Sequence, residues 1–309
     1  MKNSSYLFTQ INVLARSGRI DAAEKAEEVL MKMSEISKSG QVDAKPDHYT
    51  FVSVINCWAR SRSKHSAQRA ERILHLLENM SAHGDEDVRE NRFVYGAVMN
   101  AWSKSGAKEA PEKALGILKK LEERYEQGNT SFKPNLPIYN SVINTIAKGS
   151  SPAKAVDAMK ILDRMIEANE AGNREAAPNV LTYSTILNAC AHTNGTNADA
   201  QAAFKIARNT MKEILSNHEP NEIIFATFLQ ACHRLVPPGE RRDQLISSVF
   251  RECCQYSMVN VKVILSLRAA LSPKKLEQTL EGTGLADGLI SFKDIPYKWR
   301  KRVRGNTRT

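Results

Sequence analysis

The sequence predicts an all-α fold, and three columns of recurring residues support that prediction. An Asn that we call the anchor returns every 44 residues, at Asn12, Asn56, Asn100, Asn144 and Asn188, with Gln230 in the next place. The residue before each anchor is large and apolar, and the residue five places before it is apolar or aromatic. A fixed period between about 20 and 50 residues is the signature of stacked structural repeats. We therefore predict a right-handed α-solenoid of helical hairpins.

Each repeat is predicted to contain two helices, because apolar residues follow helical spacing on both sides of a short turn. In the second helix an Ala column (Ala26, Ala70, Ala114, Ala158) permits close helix crossing, and a Leu column four residues later fills the groove between repeats. A degenerate seventh repeat is expected to cap the array. The predicted repeats span 4–47, 48–91, 92–135, 136–179, 180–221 and 222–260, followed by the partial cap at 261–281 and a loose basic tail at 282–309.

Composition narrows the class of protein and of partner. The chain has 309 residues and a net charge of +10, and seven Lys or Arg side chains lie within 293–309. A basic balance favours a polyanionic partner, although the repeats themselves are nearly neutral in total. Five cysteines, an odd number, favour a reducing compartment without a disulfide framework. We find no apolar stretch long enough to span a membrane and no signal peptide. Residues 1–18 already fit the first repeat, so whether a further segment precedes them is left open.

Motifs for catalysis, metal binding or cofactor binding are not found in the sequence. It lacks a phosphate-binding Gly-x4-Gly-Lys loop and the His-x-Glu and Cys-x-x-Cys pattern of zinc deaminases. The adjacent Cys253 and Cys254 are poorly spaced for one zinc ion and are predicted to be buried helix residues. We therefore expect a protein that is not an enzyme and that uses no cofactor, metal or small-molecule substrate.

A basic column lies four residues after the anchors, near the end of each first helix. Its members are Arg16, Arg60, Lys104, Lys148 and Arg234, with His192 in the fifth repeat. Cations facing one way can neutralise the phosphates of a nucleic acid. The alternative is that they interact with the negative end of the helix dipole. The anchor Asn column is predicted to be structural, because it lies within a packed helix.

The repeats resemble those of the pentatricopeptide repeat family. The resemblance rests on PDHYTFVSVINCWARS, PNLPIYNSVINTIAKG, PNVLTYSTILNACAHT and PNEIIFATFLQACHRL, which begin at Pro46, Pro134, Pro178 and Pro220. Each has a Pro-Asp or Pro-Asn pair and an apolar entry to a helix, and the resemblance covers about residues 4–281. The family's repeats are shorter, and the extra residues here fall at the end of the second helix and in the linker. The alternative, the tetratricopeptide repeat, has a Trp…Leu-Gly…Tyr signature that this chain lacks.

The resemblance implies binding of single-stranded RNA, with about one base per repeat contacted by two or three side chains. One base-reading residue follows the aromatic of the first helix, and the other ends the repeat. The implied pairs are Phe8 with Asp47, Val52 with Asn91, Gly96 with Asn135, Asn140 with Asn179, Ser184 with Asn221, and Ala226 with Asn260. Only repeats four and five have polar residues at both places, and the resemblance assigns them a pyrimidine and then an adenine. Each repeat-ending Asp or Asn is also a favourable N-cap, which is the alternative role.

Apolar residues near the start of each first helix are implied to stack on unpaired bases. They are Tyr49, Phe93, Leu181 and Ile223, with Ser5 and Pro137 in the remaining repeats. The family works mostly in mitochondria or plastids, so RNA processing, stability or translation in one of these organelles is the expected setting. A protein-binding α-solenoid scaffold, in the manner of tetratricopeptide repeats, is the alternative function. Other proteins are therefore possible partners, whereas a membrane is not expected.

Overall fold

The computed structural model describes residues 2–17, 19, 21–39, 45–61, 63–83, 88–288 and 290–300, without the side chains of 2–5 and 38. Within these residues the fold is all-helical, with no strand beyond one isolated backbone bridge between Met258 and Arg300. The all-α class predicted from the sequence is confirmed. None of the described helices combines the length and apolar character that a membrane crossing requires.

The helices fall into two sets by their place in the predicted repeats. The first helices are α1 (Lys2–Arg16), α3 (His48–Arg60), α5 (Arg92–Ser105), α7 (Leu136–Lys148), α9 (Val180–Ala191), α11 (Glu222–Leu235) and α13 (Val261–Ala270). The second helices are α2 (Ala22–Lys38), α4 (Ser66–Ala82), α6 (Ala110–Glu126), α8 (Lys154–Glu170), α10 (Asn197–Asn217), α12 (Glu240–Gln255) and α14 (Pro273–Thr279). Short 3-10 turns cover Thr130–Phe132, Arg174–Ala176, Phe292–Asp294 and Tyr297–Trp299. From α3 onward, each first helix begins at the first residue of a predicted repeat.

The chain divides into two compact units, and the division falls within α8. The first compact unit comprises Met1–Gly149 and Glu167–Ala177, and the second comprises Ser150–Ile166 and Pro178–Thr309. In the first unit α3 packs between α1 and α5, and α5 packs between α3 and α7. In the second unit α11 packs between α9 and α13. Each unit therefore has its own set of adjacent first helices.

The recurring small and large apolar columns form the core that the sequence predicts. The Ala column of the second helices is fully buried, and the Leu column is at most 4% exposed. An Ala side chain at a crossing allows two helix backbones to approach closely, and the Leu side chains fill the space beside it. Burial of each Leu contributes about 1.5–3 kcal/mol.

A polar contact between a Glu, a Trp and a cation links successive repeats of the first compact unit, and no local sequence pattern predicts it. The Trp58 indole Nε1 donates a hydrogen bond to Glu27 Oε2 at 2.8 Å, and Arg69 Nε lies 3.4 Å from the same oxygen. The Arg69 guanidinium also lies over the Trp58 ring, 5.2 Å from its centroid. The equivalent residues one repeat later are Glu71, Trp102 and Lys113. Lys113 Nζ contacts Glu71 at 2.8 Å and lies over Trp102, so the ion pair and the cation–π contact recur. The Trp–Glu hydrogen bond does not recur, because the buried Trp102 Nε1 has no hydrogen-bond partner within the described structure.

The carboxylate of Glu78 joins α4 to α6 and to the buried Tyr95 of α5. Lys120 Nζ lies 2.7 Å from Glu78 Oε1, the Tyr95 hydroxyl lies 2.8 Å from that oxygen, and His75 Nδ1 lies 3.0 Å from Oε2. Burial raises the pKa of Glu78, but these hydrogen bonds outweigh it and hold the pKa below its ordinary value. The charged carboxylate therefore stabilises the folded state.

We expect this contribution to depend on pH. Because the folded-state pKa is depressed, the stabilisation is complete above the unfolded pKa of about 4.3 and is lost as pH falls through the lower folded-state value. Glu78→Gln should lower the free energy of unfolding by roughly 1.5 kcal/mol at neutral pH, and the difference from wild type should shrink in acid. Urea unfolding between neutral and acidic pH measures this, with the exposed Glu123→Gln as control. A difference that does not change with pH would contradict the assignment.

The segment after α14 is packed against α12 as far as Arg300. Trp299 meets Phe250 edge-on with ring centroids 5.5 Å apart, its carbonyl accepts a hydrogen bond from Val259 N at 2.8 Å, and Ile295 is buried. The expected loose tail at 282–309 is thus corrected for 290–300, because these apolar side chains anchor it. Residues 301–309 lie outside the described residues.

Removal of the Trp299 indole should loosen this packing. Trp299→Ala should destabilise the protein by roughly 2 kcal/mol, about half the cost at a fully buried Trp, because the side chain is only half-buried. Chemical unfolding measures the change, and Tyr297→Ala is the control because Tyr297 is 60% exposed. If Trp299→Ala were no more destabilising than the control, the contact with Phe250 would contribute little.

Candidate nucleic-acid interface

Every first helix from α3 onward begins with a side-chain N-cap at the repeat-ending position. The Asp47 carboxylate accepts a hydrogen bond from Thr50 N at 2.8 Å, and Asn179 forms a reciprocal capping box with Thr182. The remaining caps are Asn91, Asn135, Asn221 and Asn260. Capping uses the Oδ1 oxygen, which satisfies an otherwise unpaired backbone N–H group. N-capping, the alternative role suggested by the sequence, is therefore present at each of these positions. In the Asn residues capping occupies the Oδ1 acceptor and does not use the Nδ2 donor.

The second set of implied base-reading positions lies one turn into the first helices. Val52, Gly96, Asn140 and Ser184 are half-buried, as is Phe8, whereas Ala226 is only 2% exposed. Asn140 lies in the first compact unit, and Asn179, Ser184 and Asn221 lie in the second. The Asn140 Oδ1 atom is buried and has no hydrogen-bond partner within the described structure. A buried acceptor without a hydrogen-bond partner costs free energy. Among the implied base-reading side chains that the structure describes, Asn140 is the one with such an atom.

Gly96 lies close to the first turn of the next first helix. A Cβ atom added at Gly96 would be 3.9 Å from Ile138 Cγ1, which is an ordinary van der Waals contact. Ile138 lies three residues after the α7 cap Asn135, to which Ile138 N donates a hydrogen bond at 3.3 Å. The packing of α5 on α7 thus brings the implied pair Gly96 and Asn135 to the same end of the two helices.

Large apolar side chains are exposed at the second residue of successive first helices. Tyr49 and Phe93 are each 61% exposed, Leu181 is 63% exposed, and Ile223 is 46% exposed. Pro137 occupies the same place in α7 and is exposed, while the side chain of Ser5 lies outside those described. Single exposed apolar residues are normal on protein surfaces, but recurrence at one helical position is not random scatter. Each of these first helices therefore presents one apolar side chain to solvent at the same place.

The predicted basic column is solvent-exposed at all five positions, Arg16, Arg60, Lys104, Lys148 and Arg234. Two members also donate hydrogen bonds to backbone carbonyls at the C-terminal end of the preceding first helix. Arg60 Nη1 donates to Ala15 O at 3.0 Å, and Lys148 Nζ donates to Ser103 O at 3.3 Å. In the second unit, Arg234 Nη2 donates to Asn194 Oδ1 at 3.0 Å. Arg60 and Lys148 therefore make the helix-end contacts that the alternative interpretation expects. The charges of all five residues remain at the surface.

Two anchor Asn side chains make bonds between adjacent first helices of the first compact unit. Ser53 Oγ donates to Asn12 Oδ1 at 3.1 Å, and Asn144 Nδ2 donates to Ser103 Oγ at 2.9 Å. The backbone carbonyl of Ser103 also accepts a hydrogen bond from Lys148, so Ser103 contacts both an anchor Asn and a residue of the basic column. These bonds give Asn12 and Asn144 the structural role that was predicted for the anchor column.

Charge is segregated between the two sets of helices. The second helices contain twenty Lys or Arg residues and twenty Asp or Glu residues, so their formal charge is zero. The first helices contain nine basic residues and a single acidic one, Glu222. The nine are Lys2, Arg16, Arg60, Arg92, Lys104, Lys148, Arg234, Lys262 and Arg268. The net positive charge of the helices is thus confined to the set that also has the exposed apolar residues.

The cysteines do not provide a reactive or metal-binding centre in the described part of the chain. Burial raises the pKa of the Cys190, Cys232 and Cys254 thiols to about 12, and it raises the pKa of Cys57 and Cys253 as well. All five are free thiols, buried except for the half-buried Cys254. No group of three or more His, Cys, Asp or Glu side chains suited to a metal ion occurs among the described residues.

Comparison with known proteins adds no assignment. No family model matches this chain, and no curated protein matches it either.

Proposed function

We propose that this chain is a non-catalytic protein of the pentatricopeptide repeat type that binds single-stranded RNA through its first helices. In this proposal the six repeats and the cap form a right-handed α-solenoid. Mitochondria or plastids are the proposed site of action, and the RNA is held so that nucleases or translation factors are blocked or admitted.

The observation that supports this proposal most strongly is the charge segregation. A protein that binds a phosphate backbone needs uncompensated cations on one set of elements, because the affinity comes largely from release of counterions from the nucleic acid. The first helices have that excess, although Arg92 pairs with Glu175 at 2.6 Å, whereas the cations of the second helices are balanced in number by carboxylates. A protein-binding scaffold requires no such excess, so charge segregation favours RNA over the alternative.

The exposed apolar residues at the helix starts favour an unpaired strand over a duplex. Tyr49, Phe93, Leu181 and Ile223 offer faces against which splayed bases can pack, and stacking of this kind is worth about 1–3 kcal/mol per base. Bases in a duplex are already stacked on one another. Cations together with apolar faces are the two components that single-strand binding combines.

The proposal is tested by ultraviolet crosslinking of the tagged chain in cells, followed by sequencing of the attached RNA. We expect enrichment of short single-stranded segments, and we expect it to be lost when the five residues of the basic column are replaced by Gln. If the wild-type chain enriched no RNA above that variant, the protein-binding scaffold would be the better account.

A further inference from the structure

An open groove lies in the second compact unit, between α10 and the turn that joins α11 to α12. Its volume is about 760 Å³, and its walls are α10, the end of α11, the turn Val236–Gly239 and the start of α12. The proposed RNA contacts come from the first helices. This groove is built mainly by second helices, so it is a separate surface.

The local sequence explains why a groove opens at this place. Pro237 and Pro238 follow α11, and neither can donate a backbone hydrogen bond that would continue the helix. Gly239 then adopts a φ of 147°, a conformation available to glycine, and α12 begins without a side-chain cap. The chain therefore makes a wide, exposed turn. The long α10, with 21 residues, forms the opposite wall.

The groove combines an apolar floor with a basic rim. Leu235 is buried, and Phe204 and Leu245 are half-buried and partly open to the groove. Lys205, Arg208 and Arg241 are exposed at the rim. These residues form no ion pair within the described structure, although the groove contains one carboxylate, that of Glu240.

The contrast with the first compact unit shows that these cations lack their usual partners. There, three cations of the second helices each contact a Glu of the preceding second helix at 3.4 Å or less: Arg69 with Glu27, Lys113 with Glu71, and Lys120 with Glu78. The three rim cations of the groove have no such carboxylate. A ligand with negative charge would supply it.

We propose that this groove binds a short, acidic, amphipathic segment of a partner protein. Apolar side chains of the segment would cover Phe204, Leu235 and Leu245, and its carboxylates would pair with Lys205, Arg208 and Arg241. Helix-in-groove recognition combines these elements, with apolar anchors along one face of the bound segment. RNA is the less suitable occupant, because the groove contains only one aromatic side chain, the half-buried Phe204, whereas single-strand binding stacks successive bases on several.

The test is selection of a displayed library of random peptides, about 15 residues and roughly four helical turns long, on the full chain. We expect the enriched peptides to be acidic with apolar residues at helical spacing. Binding of the purified peptides is then compared between wild type, Arg208→Glu/Arg241→Glu and Lys212→Glu/Arg251→Glu. The last variant is a matched control, since its exposed cations lie on α10 and α12 outside the groove.

We expect the groove variant to bind the selected peptides at least about tenfold more weakly, a change of about 1.4 kcal/mol, and the control to change binding less than about twofold. Phe204→Ala, which keeps every rim charge, should also weaken binding. Enrichment of basic or uncharged peptides, or equal binding by the groove variant, would overturn the proposal. A short RNA that competes with the selected peptides for the wild-type chain, and that binds the groove variant more weakly than wild type, would also overturn the proposal. Replacing the basic column by Gln should leave peptide binding unchanged, so this proposal and the RNA proposal can fail separately.

Discussion

Replacing Arg16, Arg60, Lys104, Lys148 and Arg234 by Gln should flatten the salt dependence of RNA binding. Each phosphate contact to a single strand contributes about 0.7 to the slope of log affinity against log salt. Allowing for incomplete contacts, loss of five cations should reduce that slope by roughly 2 to 3.5. At about 0.1 M salt the affinity should fall by roughly a hundredfold or more. Titration of a labelled single-stranded RNA at several salt concentrations measures both quantities.

The chain offers a control with the same change in net charge. Five second helices each have an exposed cation, namely Lys32, Arg72, Lys119, Lys160 and Lys212. Replacement of these five by Gln should leave the slope nearly unchanged. Circular dichroism is needed for both variants, because Arg60 and Lys148 also bond to a neighbouring helix. If the two variants lost the same slope, binding would depend on total charge and not on the first helices. If neither lost slope, the basic column would serve only the helix ends.

Ser184→Asn should change the base preferred at the fifth repeat. Under the pentatricopeptide repeat resemblance, Ser184 with Asn221 favours adenine, and Asn with Asn221 favours a pyrimidine. Ser184 is half-buried in α9, and the Asn221 side chain accepts a hydrogen bond from Ile224 N at 3.0 Å, which leaves its Nδ2 group as the donor. The preference should shift by the energy of one base contact, about 1–3 kcal/mol by analogy with base recognition in DNA. Binding to RNAs that differ only at that base measures the shift.

Two further variants place this test in context. Thr185→Asn puts the same side chain at the next position of α9 and should leave base preference unchanged. Gly96→Asn should introduce a pyrimidine preference at the third repeat, because a Cβ there meets only an ordinary contact with Ile138. If Ser184→Asn kept the adenine preference, the residues carried over from the family resemblance would not be the base-reading residues in repeats of this length.

Much of the fold could be predicted because the signals are local. A cap residue such as Asn135 fixes the start of α7 whatever packs around it, and the period repeats that signal along the chain. The burial of the Ala and Leu columns follows from the same helical spacing. The division of the chain within α8 was not predictable, because it depends on how contacts are distributed over the whole chain.

The candidate interface was predictable in part. The exposed residues of the basic column and the exposed Tyr49 and Phe93 could be placed from their positions relative to the anchors. Charge segregation became visible only when helix bounds separated first helices from second helices. The packing of Trp299 on Phe250 and the groove beside Phe204 depend on tertiary contacts between residues far apart in the sequence, for which no local pattern exists.

Crosslinking of the purified chain to a bound single-stranded RNA, with mass spectrometry of the attached peptides, tests the central claim most directly. The account predicts that crosslinks concentrate at the starts of the first helices, above all at the exposed rings of Tyr49 and Phe93 in α3 and α5. The same RNA should give few crosslinks on α2, α4 and α6, in which basic residues do not outnumber acidic ones. Crosslinks that concentrate on these second helices, with α3 and α5 unmodified under conditions where the RNA is bound, would contradict it.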